Sequence, residues 1–222
     1  MTAIIFDLDG TLVESAPVIQ GVANTLMSEL GHRNFELSEV HDFIGDGTRV
    51  FLERAFSTLG VEYGASAFEE HHKRLVALHA EVPGSASQPM SAANEVLHAL
   101  HAAGFQIGMC TNKPGTATRN IIDAHRWSHI FQSVVAGDTL SERKPDPKPL
   151  VTAAKQLGHE RAIFVGDSEV DDATAKAAGF PFLFYTEGYC EADISELSFA
   201  AKFSHYDELT PLIRQVTSEN NL

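Results

Sequence analysis

Two hydrophobic periodicities divide the chain. From residue 15 to about 82 apolar positions recur every three or four residues. Val18, Val22, Leu26 and Leu30 mark one helix, which Pro17 can start and Gly31 stop. Residues 38–43 predict a second helix. Leu52, Ala55, Phe56 and Leu59 predict a third, ended by Gly60, and residues 65–80 a fourth. Outside this stretch short apolar runs alternate with helical patterns. Residues 3–6, 105–110, 131–136, 162–166, 181–185 and 200–203 read as strands. Residues 95–103, 115–125, 147–157, 171–178 and 208–216 read as the helices between and after them.

Strands alternating with helices imply βαβ units and a parallel sheet. The expected fold is therefore α/β, a Rossmann-like doubly wound parallel sheet with an inserted α-helical cap. The expected boundaries are residues 1–14 and 85–222 for the core and 15–84 for the cap, with hinges near residues 12–16 and 82–88. The second hinge rests on the run Val82-Pro83-Gly84-Ser85 to Gln88-Pro89.

Composition narrows the function classes. The net charge of −14 opposes nucleic acid or an anionic membrane surface as a partner. It also means that an anionic substrate needs a local positive site. Two cysteines fit reduced thiols in the cytoplasm. The chain opens on a strand rather than a signal-peptide pattern, and no apolar run reaches the roughly 20 residues that cross a bilayer. The oligomeric state is left open.

The chemistry-bearing residues stand at strand ends, where ligands bind in open α/β sheets. The first strand runs into Asp7-Leu8-Asp9-Gly10-Thr11. Carboxylates two apart on a strand project into one space and repel, unless a cation or a proton intervenes. That pairing suggests metal-assisted nucleophilic and acid–base chemistry, although Asp9-Gly10 also reads as a plain turn and Asp7 as a helix cap. A later strand ends in Thr111-Asn112-Lys113, whose hydroxyl, amide and backbone N–H groups suit phosphate oxygens. Lys144 is followed by two stiffening prolines, Pro145 and Pro147, and Gly166-Asp167-Ser168 closes another strand. Asp167 would complete an oxygen-rich Mg²⁺ site, or else cap the next helix, as Asp171 or Asp172 also could.

Together these strand ends resemble the motifs of the haloacid dehalogenase superfamily of phosphohydrolases. The matching residues are Asp7-Leu8-Asp9-Gly10-Thr11, Thr111, Lys144, and Gly166-Asp167-Ser168 with Asp171. The helical insert resembles that family's small cap. Within the superfamily the chain is most similar to phosphoglycolate phosphatases, on Phe43-Ile44-Gly45 with Gly47, Thr111-Asn112-Lys113-Pro114, Lys144-Pro145, and Gly188-Tyr189. It departs from them at Pro89-Met90, where relatives carry Pro-Gly.

The resemblance implies that Asp7 attacks phosphorus to form an aspartyl-phosphate while Asp9 serves as acid and then base. It implies Mg²⁺ held by Asp7, Asp167 and the backbone carbonyl of Asp9, and phosphoryl oxygens held by Lys144 and Thr111 with Asn112 helping. Asp171 would orient Lys144 or a metal-bound water. Residues 45–49 would form a specificity loop in which Gly45 and Arg49 meet the substrate, although Arg49 reads equally as a solvated helix residue. The implied partner is a small phosphate ester, 2-phosphoglycolate first, with sugar phosphates and nucleotides open. A phosphomutase, a phosphonoacetaldehyde hydrolase and a receiver-type phospho-aspartate switch are the rival readings. Lys73 is the only lysine between residues 15 and 82, and the first cap helix has none of the kind a Schiff base needs. A receiver would be shorter and uncapped.

Overall fold

Strand β1 (Ala3–Phe6) is buried on both faces and lies at the centre of the sheet. In this computed structural model, which describes residues 2–220, β1 pairs in parallel with β4 (Gln106–Cys110) on one side. Its other neighbour is β6 (Ile163–Gly166). Beyond these lie β5 (Phe131–Val135), β7 (Phe182–Tyr185) and β8 (Ala201–Phe203), giving the all-parallel order β5-β4-β1-β6-β7-β8. The chain winds outward through β4 and β5, then crosses back past β1 to β6. Where winding direction reverses, the connections from neighbouring β1 and β6 leave on opposite faces and open a crevice at the strands' carboxyl ends. The site expected from sequence stands there.

Alternate residues of β1 feed two cores. Ile4 and Phe6 pack with Leu97, Met109, Ile122 and Val165 under helices α5 (Ala93–Ala102), α6 (Gly115–Ala124) and α9 (Leu209–Asn220). Ala3 and Ile5 face Leu150, Ala154 and Phe164 under α7 (Lys148–Gln156) and α8 (Glu169–Ala178). Covering both faces is what allows a parallel sheet to exist.

Between β1 and β4 lie α1 (Ala16–Glu29), α2 (Leu37–His41), α3 (Thr48–Leu59) and α4 (Ala65–Glu81), in the order the apolar spacing predicts. They bury a third cluster of their own, with Leu26, Phe35, Leu52, Phe56 and Leu75 at its centre. The passages into and out of this stretch pair as an antiparallel ribbon, β2 (Val13–Glu14) with β3 (Gln88–Pro89), in register Val13↔Pro89 and Glu14↔Gln88. The sequence points to two separate linkers here; the structure ties them together. Met90 extends the tie, its N–H donating to Leu12 O at 2.9 Å.

Helix α8 starts at Glu169, earlier than the predicted residue 171, because Ser168 is its N-cap and forms a capping box with Asp171. Capping therefore does not fall to Asp167. Both cysteines are free, and among the described residues no helix is long and apolar enough to cross a membrane.

Candidate active site

Strand ends β1, β4 and β6 deliver their polar residues to one cavity of about 220 Å³, and the loop before α7 sets Lys144 beside it, against Asp7. Asp7 continues β1, its N–H donating to Val165 O at 2.9 Å. Thr111 continues β4 in the same way through Val135 O at 3.0 Å. Ladder bonds thus fix the backbone from which each of these side chains projects.

Lys144 is the hub of the negative end. Its ammonium stands 2.9 Å from Asp7 Oδ1 and donates to Asp171 Oδ1 at 2.6 Å, with only 2% of its side chain exposed. Burial opposes its charge, but Asp171 and Asp7 hold its pKa above the ordinary lysine value. Asp171 is fully engaged: its other oxygen accepts from the N–H groups of Asp167 and Ser168 and from Ser168 Oγ at 2.7 Å. Asp167 accepts from Thr11 Oγ1 on one oxygen and from the Tyr189 N–H at 2.7 Å on the other. Gly10 and Gly188 press on it from two sides; a Cβ at either position would stand 2.3 Å from Asp167 Oδ2.

Oxygens of Asp7, Asp167 and Asp171 lie within 4.8 Å of one another, and all three residues are buried. One lysine cannot neutralise three carboxylates. Burial and the remaining repulsion show in the titration of Asp7 and Asp167. Burial pushes Asp7 up to about 7 against the pull of Lys144. Burial, then Asp171 and Asp7, raise Asp167 well above the carboxylate range. Asp7 Oδ1, despite its proximity to Lys144, makes no well-aligned hydrogen bond. A buried, oxygen-only, doubly over-negative group fits a hard divalent cation. Since Asp171 is saturated, Asp7 and Asp167 are the two with oxygens to offer.

Asp9 is set apart from its neighbour. Burial pushes its pKa up, but Lys113, donating to Asp9 Oδ1 at 2.8 Å, outweighs that and leaves it below the usual value. One carboxylate of the opening pair is thus inclined to hold a proton and the other to be ionised, the reverse of what the expected nucleophile Asp7 and acid Asp9 need; a cation bound at Asp7 would favour its ionised form.

Two residues lie differently from the sequence reading. Asn112 lines the cavity, but its carboxamide clasps backbone: Nδ2 donates to Gly45 O at 2.9 Å and Lys144 O at 3.0 Å, while Oδ1 accepts from Lys144 N at 3.0 Å. Its bonds set the Lys144 loop and the Gly45 turn rather than reaching toward a ligand. Arg49 turns out of the cavity; it pairs with Glu69 and its guanidinium stacks 5.3 Å over the Phe68 ring. Of the two residues assigned to the specificity loop, Gly45 borders the cavity and Arg49 does not.

Four contributors were not assigned roles from sequence. The Lys113 ammonium is the counter-ion of Asp9. His79, near the end of α4, is buried on the cavity wall, and burial with Lys113 brings its pKa down to about 3, so it is neutral. Tyr189 holds Asp167 through its N–H. Its hydroxyl accepts from the Ser15 and Ala16 N–H groups at 2.8 and 2.9 Å, satisfying donors at the start of α1 that Ser15 leaves open. Thr11 belongs to the opening motif, and its hydroxyl secures Asp167. Only the Gly188-Tyr189 pair hinted at the tyrosine, since its partners lie more than 20 residues away in sequence.

The profile of the haloacid dehalogenase-like hydrolases matches residues 4–185. A phosphoglycolate phosphatase of Cereibacter sphaeroides is 41% identical over 216 residues, spanning 97% of this chain and 99% of its own. A phosphoglycolate phosphatase of Rhodobacter capsulatus is 34% identical over 95% and 96% of the two chains. A crystal structure described as a predicted phosphoglycolate phosphatase from Haemophilus somnus 129PT superposes with a TM-score of 0.87. It is 27% identical and covers 96% of this chain and 97% of its own.

Proposed function

We propose that this chain, which belongs to the haloacid dehalogenase-like hydrolases and is a phosphatase, hydrolyses 2-phosphoglycolate through an aspartyl-phosphate on Asp7. The observation that carries the reading is the convergence of Asp7, Asp9, Thr111 and Asp167 on one cavity, with Lys144 beside it, ion-paired with both Asp7 and Asp171. The names of relatives 34–41% identical over nearly the full length direct it to that ester.

Phosphoryl transfer is governed by positioning and charge stabilisation more than by reactive side chains. Asp7 attacks phosphorus in line, with its carboxylate aimed by the β1 ladder and by Lys144. The ester oxygen leaves with a proton from Asp9. Asp9 then takes a proton from the water that attacks the acyl phosphate, regenerating Asp7 and releasing phosphate. Lys144 and the Thr111 hydroxyl hold the phosphoryl oxygens. Asp7, Asp167 and the backbone carbonyl of Asp9 would hold Mg²⁺, which when bound supplies the positive charge that lets two anions meet. Asp171 keeps Lys144 in place.

Residues 15–84 act as a cap over a core made of 1–14 and 85–222. Closure over the strand ends excludes water until the acyl phosphate has formed. The Asn112 bond to Gly45 O is one latch of the closed arrangement.

The test is phosphate release across a panel of phosphorylated acids, sugars and nucleotides, with and without EDTA. The expected result is release from 2-phosphoglycolate above the others, lost with EDTA and restored by Mg²⁺. Retained activity in Asp7→Asn, or indifference to EDTA, would refute the mechanism.

A further inference from the structure

The cavity holds a cation that the reaction derived above does not use. Lys113 Nζ donates to Asp9 Oδ1 at 2.8 Å, and the lysine side chain is 5% exposed. Other cations around the helical wall are matched by carboxylates of their own: Arg54 meets Asp46 at 2.5 Å, and Arg49 meets Glu69 outside the cavity. The rest of the charged lining away from the strand ends is acidic, with Asp42, Glu169 and Glu191. Asp42 shares a hydrogen bond with Glu191 and raises it to about 7. A second phosphate at the far end of a substrate would meet that acidic wall. A second anionic group close to the ester would meet Lys113.

We propose that Lys113 recognises a carboxylate borne by the same carbon as the ester oxygen, and so is the residue that selects phosphorylated 2-hydroxy acids. This inference rests on the reading of Asp9 as the leaving-group acid. To protonate the ester oxygen, Asp9 must approach it to about 2.6–3.2 Å. The Lys113 ammonium contacts the same carboxylate, which confines it to within roughly two hydrogen-bond lengths of the ester oxygen. In P–O–C–COO⁻ the carboxyl carbon is two bonds from that oxygen, about 2.4 Å by ordinary covalent geometry. The substrate carboxylate therefore falls inside the reach of the ammonium. A lysine has three donors on one rotating head, so it can keep Asp9 while accepting a second carboxylate. Neutral His79 closes the wall beside it without supplying a competing charge.

The test compares 2-phosphoglycolate with ethyl phosphate, which matches it in length and lacks the carboxylate, in wild-type protein, Lys113→Met and Lys113→Arg. For Lys113→Met, kcat/KM on 2-phosphoglycolate is expected to fall about 100-fold, chiefly through KM, and on ethyl phosphate less than about tenfold; Lys113→Arg restores part of the preference. Binding is read separately in the Asp7→Asn background, where turnover is blocked. There Lys113→Met should weaken 2-phosphoglycolate at least about tenfold more than ethyl phosphate. Equal losses on both esters, in turnover and in binding, would show that Lys113 serves Asp9 alone and overturn the proposal. Wild-type protein without preference for the carboxylate-bearing ester would instead overturn the substrate reading of the preceding section, and this inference with it.

Discussion

Across the cavity, the strand ends and the helical wall use their polar groups in opposite ways. At the strand ends, Lys144, Asp7, Asp171, Asp167 and Thr11 form one network of ion pairs and hydrogen bonds, with Asp7 placed by a ladder bond, Asp171 by a capping box and Lys144 by the Asn112 carboxamide. On the helical side Ile19, Phe43 and Phe51 present apolar surface, and the arginines bond within their own segment. A buried network tolerates no missing member, because each loss strands a partner charge. An apolar wall with self-satisfied cations can be repacked piecemeal. Under the proposed mechanism both the reaction and the Lys113 contact belong to the strand ends, while the helical wall shapes the cavity around them.

The largest effect expected under this contrast is that of Asp7→Asn, which keeps the shape and removes the proposed nucleophile. kcat should fall by roughly 10⁴–10⁶ in a phosphate-release assay. Lys144→Met should lower kcat by about 10²–10³ through lost stabilisation of the transferring group, with circular dichroism confirming the fold. Asp171→Asn, which touches the chemistry only through Lys144 and the Asp167 and Ser168 backbone, should raise the Mg²⁺ needed for half-maximal rate by about 10–100-fold. Asn112→Ala releases the Gly45 turn and should raise KM by about tenfold or less with kcat nearly held. Arg49→Ala should change KM by no more than about twofold, since its partner lies on its own segment and outside the cavity. A large effect of Arg49→Ala would erase the contrast between the two walls; a small effect of Lys144→Met would reverse it.

The parts of this arrangement legible in sequence are those whose cause is local. Buried parallel strands are continuous apolar runs, so Ala3–Phe6 and its counterparts announce themselves, and with them the positions of Asp7, Thr111 and Asp167. Helices α1, α3 and α4 follow from three- and four-residue spacing. The ribbon of β2 and β3 was invisible because two residues show no periodicity, and its pairing spans the entire helical stretch. The two readings of Arg49 stay unresolved in sequence because nothing near it reveals Glu69, one helix further on, as its partner. The Lys113 ammonium went without a role for the same reason: Asp9 is 104 residues away.

Asp167 sits in a slot whose walls are two hydrogen atoms, those of Gly10 and Gly188. Neither glycine donates, accepts or titrates through a side chain, and yet a single methyl group at either would evict the carboxylate or force the loops apart. Catalytic competence here extends to residues whose contribution is vacant volume, and a mutational scan restricted to reactive side chains would overlook both.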